Sequence, residues 1–158
     1  MSLDSDIALL KRVPLFSDLP TEQMRLLAFS AVRLELVTDQ VLFREGARAS
    51  SGFVVASGGI KLTVGAQRKV VAICEVGALI GELALIIETK RPATATATVA
   101  SQVLELDRKL ILRMLSEYPQ VAVKWRETMS ERLLSTVNDL GGVRAALKAI
   151  KGFPAVRR

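Results

Sequence analysis

The sequence predicts an α+β domain: an antiparallel eight-stranded β-roll of jelly-roll type holding one short helix, with a helical segment before it and helices after it. Three observations predict this. Apolar residues recur at helical spacing through residues 1–31. Residues 32–107 switch to short β-rich runs punctuated by glycine. Residues 108–158 return to helical spacing.

In the first segment, Leu3, Ile7 and Leu10 share a helix face until Pro14 interrupts. The helix restarts in "SDLPTEQMRLLAFSA". Pro20 precedes it, Thr21 is the candidate cap, and Met24, Leu27 and Ala28 continue the stripe.

The middle segment begins with "VRLELV", which alternates apolar and polar residues as a half-buried strand does. "QVLFREG" ends at Gly46. "GFVVASGGIKLTV" is two runs broken by Ser57, Gly58 and Gly59. "GAQRK" is a turn leading into "VVAICEVG", and "ATATATVA" and "QVLELD" flank Ser101. Seven or eight short strands with glycine-marked turns predict an antiparallel sandwich or barrel.

In the last segment "RKLILRMLSEY" is amphipathic and stops before Pro119. Trp125, Met129, Leu133, Val137 and Leu140 then form one stripe. Gly141 and Gly142 interrupt it, and Val143, Ala146, Leu147 and Ile150 make a last short helical stretch. The stripe is a candidate dimer seam, too short and irregular for a coiled coil.

Composition narrows the function. A chain of 158 residues, half of them apolar, is long enough for a real core. No apolar run approaches the roughly 18 residues of a membrane span. The early Asp4 and Asp6 argue against a secretory signal. Cys74 is the single cysteine, so no internal disulfide forms, and a reducing cytoplasm is the expected compartment. There is no histidine, which removes His-based catalysis. With one cysteine as well, zinc and iron–sulfur sites are excluded as expectations. No nucleophile–base pair stands out. The expectation is a protein that is not an enzyme and carries no metal or resident cofactor.

Charge is uneven. Residues 1–107 hold 11 Lys/Arg against 12 Asp/Glu, and residues 108–158 hold 11 against 4. A basic tail suits nucleic acid or an anionic membrane surface, but a solvated helix surface with a basic C-terminus is the favoured reading.

The stretch that carries chemistry is "GELALIIETKRPATATA", residues 81–97. Residues 81–88 have helix-forming composition over about two turns. Gly81 precedes a helix start, whose first amides lack intrahelical partners and attract an anion. Arg91 follows, and a guanidinium forks onto two oxygens of a phosphate or carboxylate. Glu82 suits a hydroxyl donor instead, such as a ribose 2′-OH. By residue chemistry alone the two side chains could equally form a surface ion pair, worth about 0–1 kcal/mol.

The string resembles the phosphate-binding cassette of cyclic nucleotide-binding domains, roughly G-E-[LIM]-A-L, a few residues, then R-x-A-T. Gly81, Glu82, Leu83, Ala84, Leu85, Arg91, Ala93 and Thr94 match it. The resemblance covers nearly the whole chain. "LLKRVPLFSDLPTEQMRLLA" is similar to the family's N-terminal helices and "LFREG" to its I-F-x-x-G turn. Gly58 and Ile60 match its G-x-V pair, and "EVGALIGE" its G-x-x-F-G-E entry, with Ile80 in place of an aromatic. "SEYPQVAVKWRETMSERLLST" resembles its hinge and long helix.

The resemblance implies a cassette at residues 81–94 and a role for each residue. Arg91 would bind the cyclic phosphate and Glu82 the ribose 2′-OH. The amides of Leu83 and Ala84 would cradle the phosphate or sugar, and Gly81 would let the backbone approach. Ala93 and Thr94 complete the motif. Thr136 aligns with an adenine-contacting threonine of activator-type relatives; a helix-surface threonine reads as well there. Trp125 is either a core residue of the stripe or a purine platform, with the core favoured.

Two departures qualify the match. Pro92 follows the arginine, where relatives use a backbone amide and often a hydroxyl on the phosphate; proline has no N–H. A Thr there favours cGMP in some relatives, so Pro92 leans toward cAMP. Second, only 18 residues follow Leu140, too few for a winged DNA-reading domain, so no sequence-specific DNA binding is expected of this chain.

The expected function is a cAMP- or cGMP-binding sensor signalling through its C-terminal helices, with a homodimer through those helices possible and the protein partner unknown. The alternatives are a degenerate fold that docks proteins, or a regulatory piece of a longer channel, enzyme or transcription factor.

Overall fold

A computed structural model of the protein describes residues 2–135. Thr136 lies outside the described residues. So do Val137, Leu140, Gly141, Gly142, Val143, Ala146, Leu147 and Ile150.

Helix α1 spans Leu3–Lys11. Ser2 and Ser5 cap it reciprocally: each hydroxyl accepts from the other residue's amide, at 3.2 and 3.1 Å. Pro14 opens a 3₁₀ turn, Pro14–Phe16. Helix α2 covers Thr21–Ser30. Pro20, not Thr21, stands at its cap position, and no side chain caps the helix. Thr21 is already the first helical residue, one place past where a hydroxyl reaches the free amides.

Ten antiparallel strands follow among the described residues. They are β1 (Val32–Leu36), β2 (Val41–Phe43), β3 (Arg48–Ala49), β4 (Ser51–Ser57) and β5 (Ile60–Val64). Then come β6 (Lys69–Cys74), β7 (Leu79–Ile80), β8 (Thr89–Lys90), β9 (Thr94–Ala97) and β10 (Ser101–Asp107). Eight make two four-stranded sheets, ordered β1-β10-β4-β7 and β2-β9-β5-β6. The ribbon β3-β8 adds the other two, each of two residues. Strands that short leave no alternation to read.

The turn from β4 to β5 needs glycine. Gly58 has φ 81°, and a β-carbon there would stand 2.2 Å from the Ser101 hydroxyl. The predicted helix at residues 81–88 is one 3₁₀ turn, Glu82–Leu85. Ile86 leaves it at φ −123° and ψ −25°, and the Ile86 and Ile87 amides still donate back to the Leu83 carbonyl, each at 3.1 Å, before the chain reaches β8.

Period-two alternation splits the core. Phe53 and Val55 on β4, Val103 on β10, and Ala95 and Ala97 on β9 face a cluster between the sheets. Val54, Leu104 and Leu106 face the other way, toward the helices. There they meet Leu10, Phe16 and Leu27, and then α3 (Arg108–Glu117) through Ile111, Met114 and Leu115. Asp107 caps α3 by accepting from the Lys109 amide at 3.1 Å.

Helix α4 covers Pro119–Ser135, with proline in the first helical position, where its missing N–H costs nothing. Trp125 is 1% exposed and packs on Phe16, ring centroids 5.6 Å apart. It is a core residue and no purine platform. Met129 is buried beside it in the same cluster.

Candidate functional site

Strand β7 pairs with β4 (Ile80 opposite Phe53) and delivers the chain to Gly81. Gly81 takes φ 76° and swings it into the Glu82–Leu85 turn. The chain returns through β8, which pairs with β3. Arg91 is then gripped by its backbone: its N–H donates to the Ala47 carbonyl, and its own carbonyl accepts from the Gly46 amide, each at 2.8 Å.

That anchoring sends the Arg91 side chain inward, where it is 6% exposed. The guanidinium carbon lies 4.3 Å from the ring centre of Phe43 and 5.3 Å from that of Phe53. Nη2 donates to Ser51 Oγ at 3.4 Å, and that hydroxyl donates to Glu105 Oε2 at 2.8 Å. Nε and Nη1 are buried with no hydrogen-bond partner among the described residues. Burial lowers the guanidinium's pKa below its ordinary value, and the Glu105 charge partly opposes that.

A cleft of about 280 Å³ opens here, lined by Gly81, Glu82, Leu83, Ala84, Arg91 and Pro92 among others. Glu82 and Arg91 thus line one cleft, Glu82 half-buried and Pro92 exposed. Two unbonded donor nitrogens of a buried cation, beside the mouth of a turn, offer what an anionic oxygen accepts.

Of the expected site residues, Ala84, Thr94 and Ala93 have these surroundings. The Ala84 amide donates to the Gly81 carbonyl at 3.1 Å inside the 3₁₀ turn, so it is already engaged; Leu83 precedes the first bond of that turn. Thr94 turns to the outer face of its sheet, where its hydroxyl accepts from the Glu45 amide at 2.9 Å. Ala93 is buried and does not line the cleft.

Ser51, Glu105, Phe43 and Phe53 were missed as site residues. Alternation could have aimed Phe53 inward. Ser51 meets Glu105 only through the β4–β10 register, where Ser51 lies opposite Asp107 and Glu105 opposite Phe53.

A larger cleft of about 500 Å³ lies on the outer face of the second sheet, lined by Arg44, Glu45, Lys61 and Arg68. Its charges are mixed, and Glu45 Oε1 already accepts from the Gly65 amide at 2.9 Å. It holds no counterpart of the buried Arg91 donors. Among the described residues no His, Cys, Asp or Glu cluster suits a metal ion, and no helix is long and apolar enough to cross a membrane.

The model of the cyclic nucleotide-binding domain family matches residues 33–118, from β1 to the end of α3. The chain belongs to that family. As a cyclic nucleotide-binding domain it is similar to the cyclic AMP receptor protein of Thermus thermophilus, 29% identical over 78% of this chain and 59% of that one. It also resembles a cyclic nucleotide-binding-like protein from Brucella abortus: 39% identity, TM-score 0.65, 71% of this chain and 98% of that one. A third likeness is the N-terminal domain of a transcriptional regulator from Streptomyces coelicolor: 31% identity, TM-score 0.69, 81% of this chain and 92% of that one. The chain spans about half the length of the curated relatives it matches, 41% and 59% of two of them.

Proposed function

We propose that this domain is a cyclic nucleotide sensor that performs no chemistry on its ligand and prefers cAMP to cGMP. The observation that carries the reading is the buried Arg91 guanidinium, with Nε and Nη1 unbonded beside a cleft that Glu82 also lines. A cyclic phosphate would accept from that guanidinium, and Glu82 would accept from the ribose hydroxyl. The name of the Thermus thermophilus relative supports cyclic AMP as the ligand class. Pro92 supports the same preference, since it offers no hydroxyl to a guanine.

The signal would leave through packing. Leu85 and Ile86, at the end of the cassette turn, share one apolar cluster with Ile111, Met114 and Leu115 of α3 and Trp125 of α4. A ligand favouring one arrangement of the turn biases that cluster, provided its affinity differs between the two arrangements.

Pro92 also favours a second reading, a domain that keeps the roll, has lost the nucleotide and docks a protein. Isothermal calorimetry separates them. The sensor gives heat with cAMP, weaker binding with cGMP, and neither in Arg91→Ala. No heat from the parent at millimolar cAMP selects the docking module.

A further inference from the structure

Arg108, the first residue of α3, is used by nothing described so far, yet it touches the cassette directly. Its Nη1 lies 2.9 Å from the Ile87 carbonyl, 3.1 Å from the Ala49 carbonyl and 3.4 Å from the Ala84 carbonyl. Its backbone amide donates to the Ser50 carbonyl at 3.0 Å. One cation therefore gathers carbonyls from β3, from the cassette turn and from the link between that turn and β8. The turn's carbonyls point away from its N-terminal mouth, so a positive charge behind them complements the turn's polarity. Two of the residues it ties, Ala49 and Ala84, line the cleft themselves.

We propose that Arg108 is a positioning residue that fixes the 84–87 backbone to the start of α3, so that cleft geometry and α3 orientation are set together. It touches no ligand. The consequence for nucleotide affinity rests on the sensor reading above; the consequence for backbone order does not.

The test is amide hydrogen exchange on the full chain without ligand, paired with cAMP calorimetry. The variants are Arg108→Met, which keeps the apolar stem and removes the donors, and Arg108→Lys, which keeps the charge. Arg108→Met should raise exchange across residues 84–90 and the first turn of α3 by about tenfold or more, since hydrogen bonds from a charged group are lost. Core amides of β4 and β10 should stay within about twofold of the parent, because their ladder is untouched. Arg108→Lys should fall between, as the ammonium keeps the charge but stops short of the place Nη1 occupies and lacks the planar fork. cAMP affinity should drop about tenfold in Arg108→Met and less in Arg108→Lys. Unchanged exchange at 84–90, or equal loosening of the whole roll, overturns the proposal. If the parent binds no cAMP while the exchange pattern holds, the sensor reading fails and the positioning role stands.

Discussion

A β-carbon on Gly81 would stand 2.5 Å from Arg91 Nη1. The glycine at the cassette entrance and the cation at its exit therefore share one volume, and each limits the other. Gly81→Ala should fold, at a cost of about 1–2 kcal/mol for a non-glycine residue at positive φ. It should also displace the guanidinium and weaken cAMP binding about tenfold or more, as geometry at an anion site is lost. Circular dichroism and calorimetry on the one variant separate the two effects.

Arg91 is a burden on the ligand-free fold. Desolvation is the larger cause of its lowered pKa, and the attraction of Glu105 does not cancel it. Arg91 has no ion-pair partner within salt-bridge distance among the described residues, and burying a charge without one is costly, so a hydrocarbon of similar shape removes that cost. Arg91→Met keeps the stem between Phe43 and Phe53 and should raise stability by about 1–2 kcal/mol, roughly 3–6 °C in Tm, while abolishing cAMP binding. A lower Tm in scanning calorimetry would show that the contact with Ser51 and Glu105 outweighs burial.

Pro92 is exposed at the rim of the cleft and brings no N–H. Pro92→Ser restores an amide and adds a hydroxyl beside the anion. Affinity for cAMP should rise about tenfold, the worth of one added hydrogen bond to a charged group. An unchanged dissociation constant would mean that the phosphate sits away from this edge.

Cys74 lies on β6, opposite Ile60, half-buried against the cluster between the sheets. Burial raises its thiol pKa above the ordinary 9.0. A group whose pKa is raised on folding adds stability below its unfolded pKa and loses it as pH climbs through the folded one. Stability should therefore fall above about pH 9, and Cys74→Ala should flatten that alkaline slope in urea titrations. Iodoacetamide should label the native protein slowly at pH 8, since the thiolate is the nucleophile.

Much of this was legible in the residues. Alternation and glycine turns outlined the sheets, helical spacing gave α1 to α4, and the motif from Gly81 to Arg91 marked the cleft. Two-residue strands such as β3 and β8 were not legible, because pairing and not composition makes them. The 82–85 turn was overextended because its leucines and alanines favour helix, while Ile86 and Ile87 answer to the core. Thr94 matched the motif by string alone; strand parity sends it to the opposite face. Ser51, Glu105 and Arg108 needed tertiary structure. Their neighbours lie 54, 54 and 21 to 59 residues away, and no local pattern encodes such distances.

The central claim is that the buried Arg91 guanidinium receives the anion. The most direct measurement is the side-chain Nε–H resonance of Arg91 in ¹⁵N-labelled protein, followed through a titration with cAMP and, in parallel, with adenosine. The account predicts that this resonance shifts and saturates at one equivalent of cAMP and stays in place with adenosine, which lacks the phosphate. Binding heat from cAMP with the Arg91 resonance unmoved would contradict it.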